Sequence, residues 1–283
     1  MTGPAPEFDP PLAACPLCGS PEIAACDHDY RGARIARCRA CRVRFMNPRY
    51  TDASLAAYYA AYIPATLDPA HRAWRVAQKT ANVALVERFV RPGRLLSIGC
   101  GDGIELEVAR ERGWTVEGYD VDPATTARVA ARTGATVHTG DLFALPLPER
   151  AYDCVYLDQV LEHPKNPADY LRLCRRLLRP DGLLYLGVPN IASLSSTLKT
   201  ALGKVGLKRR RGRHYDTFHH LFYYSPGTLP ALLERRFGFR VERVLGDPKP
   251  RLTPSPVGAL HDAVTRRFPV LDSSFVVLAR PGG

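Results

Sequence analysis

The stretch LLSIGCGDG, residues 95–103, decides the fold. Its apolar start reads as a strand, Gly99, Gly101 and Gly103 as a sharp turn, and IELEVARERG (104–113) as a helix. Without side chains at the turn, a ligand can approach the peptide groups closely beside a helix N-terminus. A dinucleotide fingerprint needs glycine at position 104, where Ile104 stands, and no P-loop lysine follows.

Outward from this turn the chain alternates strands with helices. TVEGYDVD (115–122) predicts a second strand ending in Asp120, about 20 residues past the first glycines, where a doubly wound fold puts the carboxylate that accepts from a ribose diol. ATTARVAARTG (124–134) predicts a helix and ATVHTGD (135–141) a third strand ending in Asp141. AYDCVYLDQVLEH (151–163) predicts a fourth strand opening into Asp158 and Gln159, and DGLLYLGVPN (181–190) a fifth, after the helix PADYLRLCRRLLRP (167–180). Such alternation implies an α/β fold with a parallel sheet and right-handed crossovers. Polar residues at the ends of strands one to four then meet at the switch point. Together with the Gly-x-Gly-x-Gly spacing they favour S-adenosylmethionine as the ligand. Each aspartate alone would read as a helix cap or turn residue.

The chain resembles the class I S-adenosylmethionine-dependent methyltransferases that carry an N-terminal zinc ribbon. CPLCG (15–19), CRACRVRFMNPRY (38–50) and LAAYYAAY (55–62) resemble the ribbon and its linker. LLSIGCGDG, GYDVDP, GDLFALP, YDCVYLDQVLEH, LLRPDGLLYLGVPN and HHLFYYSPGTL resemble successive elements of the transferase. The resemblance implies a seven-stranded Rossmann-like sheet with helices on both faces. It also implies that Gly99, Gly101 and Gly103 flank the methionine part of the cofactor, that Asp120 holds the ribose, and that Asp141 with Leu142 frames the adenine. Cys100, Val121, Asp158 and Gln159 complete the expected cofactor contacts. The family usually has an acidic residue two before the first glycine; here it is Ser97, which puts that anchor in question.

Cys15-x-x-Cys18 and Cys38-x-x-Cys41, with 19 residues between them, form two knuckles that complete a tetrahedral zinc site. Four protein ligands close the site, so the zinc is structural, and it supplies most of the folding energy of so small a module. Cys26 and His28 lie in the enclosed loop as alternative ligands, but at a spacing that matches no knuckle; for the two Cys-x-x-Cys pairs themselves, a redox pair is the competing reading. Cys100 reads as a small apolar turn residue rather than a nucleophile. The expected organisation is a ribbon at 12–50, a helical linker and first transferase helix at 51–90, and the transferase at 91–283 with a cap-like insertion at 191–224.

With 283 residues, 46% of them hydrophobic, the chain can bury a full α/β core beside this module. MTGPAPEFDP lacks a signal peptide's basic and apolar parts, and the chain has no apolar run of membrane-spanning length; both point to the cytoplasm. The net charge of +11 allows an anionic or carrier-bound acceptor, nucleic acid or a membrane surface, while solvated arginines are the plainer explanation. In the insertion, Ile191, Leu194, Leu198, Ala201, Leu202 and Val205 share one helical face, followed by KRRRGR (208–213). The pattern suits a cap over the substrate, or a helix lying on a membrane. Tyr58, Tyr59 and Tyr62 are candidates to line a pocket.

RHYDTFHHLFYYSP (213–226) gathers His214, His219 and His220 with Tyr215, Phe218, Phe222, Tyr223 and Tyr224. A hydroxyl acceptor must lose a proton, and histidine suits that task at neutral pH. His219, His220 and His163 are the candidate catalytic residues. The leading expectation is O-methylation of a small molecule such as a sugar, phenolic or polyketide-like compound. An RNA methyltransferase using the ribbon and the basic surface is the rival, although the Asn-Pro-Pro-Tyr type of motif is absent after strand four. A non-catalytic S-adenosylmethionine-binding scaffold or sensor is the third.

Overall fold

The computed structural model describes residues 6–29, 32–61, 68–204, 215, 219–247, 264 and 267–283. Tyr62, Val205, the basic run 208–213, His214, Phe218 and the side chain of Tyr59 lie outside the described residues.

Near the N-terminus, β1 (Ile23–His28), β2 (Arg34–Cys38) and β3 (Arg44–Met46) form an antiparallel meander. Ile35, Val43, Phe45 and Met46 make its buried face. Helices α1 (Asp52–Ala61) and α2 (Pro69–Glu87) follow, and α2 starts where Asp68 accepts from the His71 N–H at 2.9 Å with Pro69 in the first turn.

The large sheet contains β4 (Arg94–Ile98), β5 (Thr115–Tyr119), β6 (Thr136–His138), β7 (Tyr152–Asp158) and β8 (Leu178–Pro189), all parallel. Their crossovers include α3 (Ile104–Glu111), α4 (Pro123–Thr133) and α5 (Pro167–Leu177). Asp122 caps α4 through the amides of Ala124 and Thr125, and Gly134 closes it at φ +65°. After α6 (Leu194–Lys204), β9 (Phe222–Tyr223), α7 (Leu229–Arg236) and β10 (Phe239–Gly246), the last strand β11 (Ser274–Pro281) inserts antiparallel between β8 and β10.

The seven-stranded order is β10-β11-β8-β7-β4-β5-β6. The chain winds one way from β4 through β5 to β6 and the other way from β7 to β8, so the switch point lies between β4 and β7. Third and fifth strands differ in extent from the sequence reading. β6 is only three residues long, and Asp141 sits beyond it past Gly140, whose φ is +92°. β8 begins three residues earlier than expected, at Leu178.

Of the predicted insertion, residues 191–204, 215 and 219–224 are described. Its helix α6 leaves Leu194 and Leu198 58% and 57% exposed among the described residues, while Ile191 before it packs against the core. Its far end, β9, adds to the small sheet: Arg44 pairs with Tyr223 and Phe45 with Phe222. The Met46 amide also donates to the Leu221 carbonyl at 2.8 Å. As a result the core runs unbroken from Leu157 and Leu161 of the large sheet through Leu221–Tyr224 to Ile35 and Phe45 of the small one.

No helix among the described residues is long and apolar enough to cross a membrane. Phe222 is fully buried at the seam, with its ring 6.1 Å from that of Phe45. Phe222→Ala should cost about 3–5 kcal/mol in urea unfolding, the range for a buried aromatic. A loss of only about 0.5 kcal/mol, as for a surface change, would contradict this packing.

Candidate active site

The glycine turn sits at the C-terminal end of β4. Gly99, Gly101 and Gly103 hold φ of +74°, +49° and +69°, the left-handed region that glycine enters without a Cβ penalty. Their surroundings divide their roles. A Cβ on Gly99 would lie 2.5 Å from Val160, and one on Gly103 would lie 2.4 Å from Val129, so both are demanded by packing. A Cβ on Gly101 would meet nothing within 4 Å, which leaves the middle of the turn open to a ligand.

Asp120, just past β5, accepts from the Gly101 amide at 2.9 Å and from the Asp122 amide at 3.1 Å. Val121 beside it is 61% exposed. Across the β5–β6 ends, Asp141 accepts from the Phe143 amide at 3.0 Å, Leu142 is buried, and Phe143 is exposed. Cys100 is buried, and burial pushes its thiol well above the ordinary value, which agrees with an inert turn residue.

Asp158 and Gln159 follow β7 but play different parts. The Asp158 carboxylate is turned inward onto Lys79 (2.8 Å), the Tyr156 hydroxyl (3.1 Å) and Asn82 (3.3 Å). Gln159 adopts φ +59° and donates its amide to the Gly187 carbonyl at 2.8 Å. That turn brings Val160 against Gly99 and leads directly into Glu162 and His163.

Behind the glycine turn lies a buried charge network that the sequence reading did not find. Lys79 approaches Glu105 at 3.9 Å as well as Asp158, and Arg75 pairs with Asp102 at 3.0 Å. Ser97, standing where the family carries an acid, donates to Glu105 at 2.9 Å. Glu105, in the first turn of α3, thus brings a carboxyl group next to Ser97. Burial works against the Lys79 ammonium, but Asp158 and Glu105 together raise it above its usual range. Burial also works against the Asp158 carboxylate, yet Lys79 and its hydrogen bonds hold it below the usual range. Glu105 goes the other way, raised by burial against the opposing pull of Lys79. One signal was available: Gln78, Lys79 and Asn82 share the α2 face of Val83 and Val86, an odd composition for a buried stripe.

The three candidate histidines come together from two separate segments. The ring of His219 is stacked 5.1 Å from that of His163 and meets that of His220 edge-on at 4.4 Å, and the His220 ring lies edge-on to His163 at 5.0 Å. The Tyr58 hydroxyl and His219 Nδ1 are hydrogen-bonded at 3.0 Å, so α1 also reaches this cluster. His163 Nδ1 faces the His219 carbonyl and Nε2 the Gln159 carbonyl, both at 3.1 Å. Burial, with His163 and His219 alongside, lowers the His220 imidazole to about 2, so it is neutral at physiological pH. Glu162 beneath them is fully buried, and burial pushes its carboxyl up to about 8.

In the small sheet, Cys15 and Cys41 sulfurs are 3.6 Å apart and Cys18 and Cys38 sulfurs 3.5 Å apart, with all four within 4.8 Å. A tetrahedron with metal–sulfur bonds of about 2.3 Å has sulfur–sulfur edges of about 3.8 Å, so the donor set fits a tetrahedral ion. The knuckles match each other: Gly19 donates to the Cys15 carbonyl at 2.8 Å and Arg42 to the Cys38 carbonyl at 3.0 Å, both with positive φ. Cys26 and His28 lie along β1 and are not members of this cluster.

Comparison with known proteins agrees with this geometry. Residues 70–244 match the family described as "Methyltransferase domain". Over 153 residues the chain is 33% identical to a probable S-adenosylmethionine-dependent methyltransferase of Mycolicibacterium smegmatis, covering 54% of each chain. Over 120 residues it is 36% identical to a ubiquinone biosynthesis O-methyltransferase of Caulobacter sp. strain K31, covering 40% of this chain and 46% of the relative. The chain therefore spans about half the length of the curated relatives it matches. In fold it is similar to Burkholderia thailandensis 1,6-didemethyltoxoflavin-N1-methyltransferase, solved with 1,6-didemethyltoxoflavin and S-adenosylhomocysteine. The TM-score is 0.53 at 21% identity, over 89% of this chain and 96% of that one. The protein belongs to the class I S-adenosylmethionine-dependent methyltransferases.

The network behind the turn gives a direct test. Lys79→Met leaves Asp158 and Glu105 buried without their cation and should cost about 3–5 kcal/mol in denaturant unfolding. The triple variant Lys79→Met, Glu105→Gln, Asp158→Asn should recover much of that loss. An undiminished stability in the single variant would contradict the pairing.

Proposed function

We propose that the protein transfers the methyl group of S-adenosylmethionine to a hydroxyl of a small-molecule acceptor. One observation carries the reading: Val160 packs against Gly99 of the open glycine turn, and its carbonyl accepts from the amide of His163 in the histidine cluster at 3.0 Å. The names of the curated relatives, O-methyltransferases among them, support an oxygen acceptor.

When bound, the cofactor supplies an electrophilic methyl group on a sulfonium; the protein contributes orientation and electrostatics. The Asp120 carboxylate is the group to take the ribose hydroxyls, beside the backbone of Gly99, Cys100 and Gly101. Val121, Asp141 and Leu142 are the residues to frame the adenine, with exposed Phe143 added to them. Arg75 is the candidate for the methionine carboxylate, because its buried Nε has no partner among the described residues. Gln159 offers its turn backbone to the same cleft, and Asp158 sets the charge behind it rather than touching the ligand.

On the acceptor side, the hydroxyl proton leaves toward the histidine cluster. His219 is the residue to take it, oriented by Tyr58, whereas His220 is too weakly basic to hold a proton. Alignment of acceptor and methyl group at near-attack distance is the main device. Cys15, Cys18, Cys38 and Cys41 hold a structural zinc in this reading, and through β3 and β9 that site steadies residues 219–220. The knuckle spacing of the cysteines suits metal rather than disulfides, which supports a reducing, cytoplasmic setting.

Methyl-labelled S-adenosylmethionine, added with the protein to a cell extract split into small-molecule, RNA and protein fractions, tests the acceptor class. Label is expected in the small-molecule fraction; label confined to RNA would overturn the reading. Asp120→Ala should weaken S-adenosylhomocysteine binding by about 1–3 kcal/mol, the scale of a lost charge-assisted contact. Unchanged affinity in calorimetry would remove Asp120 from the cofactor site.

A further inference from the structure

The histidine cluster contains one group that hydroxyl deprotonation leaves unexplained. Glu162 is 0% exposed, and neither carboxylate oxygen has a hydrogen-bond partner among the described residues. A buried carboxyl with neither oxygen hydrogen-bonded is costly whether protonated or not, and an ion bound beside it would complete it. Its Oε1 lies 3.9 Å from His163 Nε2 and 3.9 Å from His220 Nε2. His163, His219 and His220 each bring a ring nitrogen within 4.8 Å of the others.

The outer contacts engage Nδ1 on two of the three rings. Tyr58 engages His219 at Nδ1, and the His219 carbonyl engages His163 at Nδ1. That is how metal-binding imidazoles are usually oriented, with the remote nitrogen hydrogen-bonded and Nε2 left to ligate. The Nε2 of His163 now faces the Gln159 carbonyl at 3.1 Å and need only turn from it toward Glu162. The His163 and His220 side chains keep 25% and 16% exposure while that of Glu162 keeps 1%, so the cluster has an open side and a closed floor.

We propose that His163, His219, His220 and Glu162 form a divalent transition-metal site, separate from the four-cysteine cluster. Three imidazoles with one carboxylate suit zinc, iron, cobalt or nickel, and disfavour calcium and magnesium, which take oxygen ligands. The open side gives the ion room for a further ligand. Its use there, binding the acceptor oxygen and making that hydroxyl more acidic in place of proton transfer to the His219 ring, rests on the proposed methyl transfer; the existence of the site does not.

The test counts metal without turnover. Metal-free full-length protein is reconstituted with zinc, dialysed and analysed by mass spectrometry, and in parallel titrated with cobalt. Two equivalents per chain are expected, and the second cobalt should add weak d–d absorption without thiolate charge-transfer bands. The pair His163→Ala, His220→Ala should retain one equivalent. Glu162→Gln, which keeps the shape of the site, should bind the second zinc at least about tenfold more weakly, as even changes to outer partners of metal ligands cost about 10–100-fold. A single equivalent in the unaltered protein, or a second that survives in both variants, would overturn the proposal.

Discussion

The pairing of β9 with β3 is the contact on which the candidate site depends. It consists of Phe222 and Tyr223 against Phe45 and Arg44, with Leu221 held by Met46. On the large-sheet side, the Leu221 and Phe222 amides both donate to the Glu162 carbonyl, at 2.8 and 3.1 Å. Residues 219–224 are therefore clamped between the turn after β7 and the cysteine-bearing sheet. Without that clamp His219 and His220 would have no fixed relation to His163.

A second constraint acts behind the glycine turn. Gly99 must lack a side chain because Val160 fills the space, and Val160 is delivered by a turn that begins at the inward-facing Asp158. Lys79 holds that carboxylate from α2, while Glu105 links Ser97 to the same ammonium. A paired buried charge adds little net stability compared with apolar packing, yet breaking the pair is costly. The network is thus better understood as fixing the electrostatic floor of the cleft than as an added source of stability.

Much of this was legible in the sequence. Alternate glycines, an aspartate about 20 residues on, and strands of regular spacing fixed the parallel sheet and its switch point, because each rests on a local backbone requirement. The two cysteine knuckles were equally plain. What escaped depends on distant residues. β9 is two residues long and carries no periodicity, so its place on the small sheet could not be read. The contact of Ser97 with Glu105 escaped because Glu105 lies eight residues away on a helix. Asp158 carries the expected residue type at the expected strand end, but its partner Lys79 lies 79 residues away on α2, beyond the reach of local pattern. Glu162 gave no signal of its own; only the burial of both its oxygens beside three histidines marks it.

The central claim is that the open glycine turn and the histidine cluster are two sides of one reaction site. A crystal structure of the protein with S-adenosylhomocysteine tests this most directly. The account predicts the ligand's ribose on Asp120 and its sulfur directed past Val160 toward His163, His219 and His220, with room between for one acceptor oxygen. A sulfur directed away from the cluster, or a ligand seated elsewhere than the Gly101 turn, would contradict it.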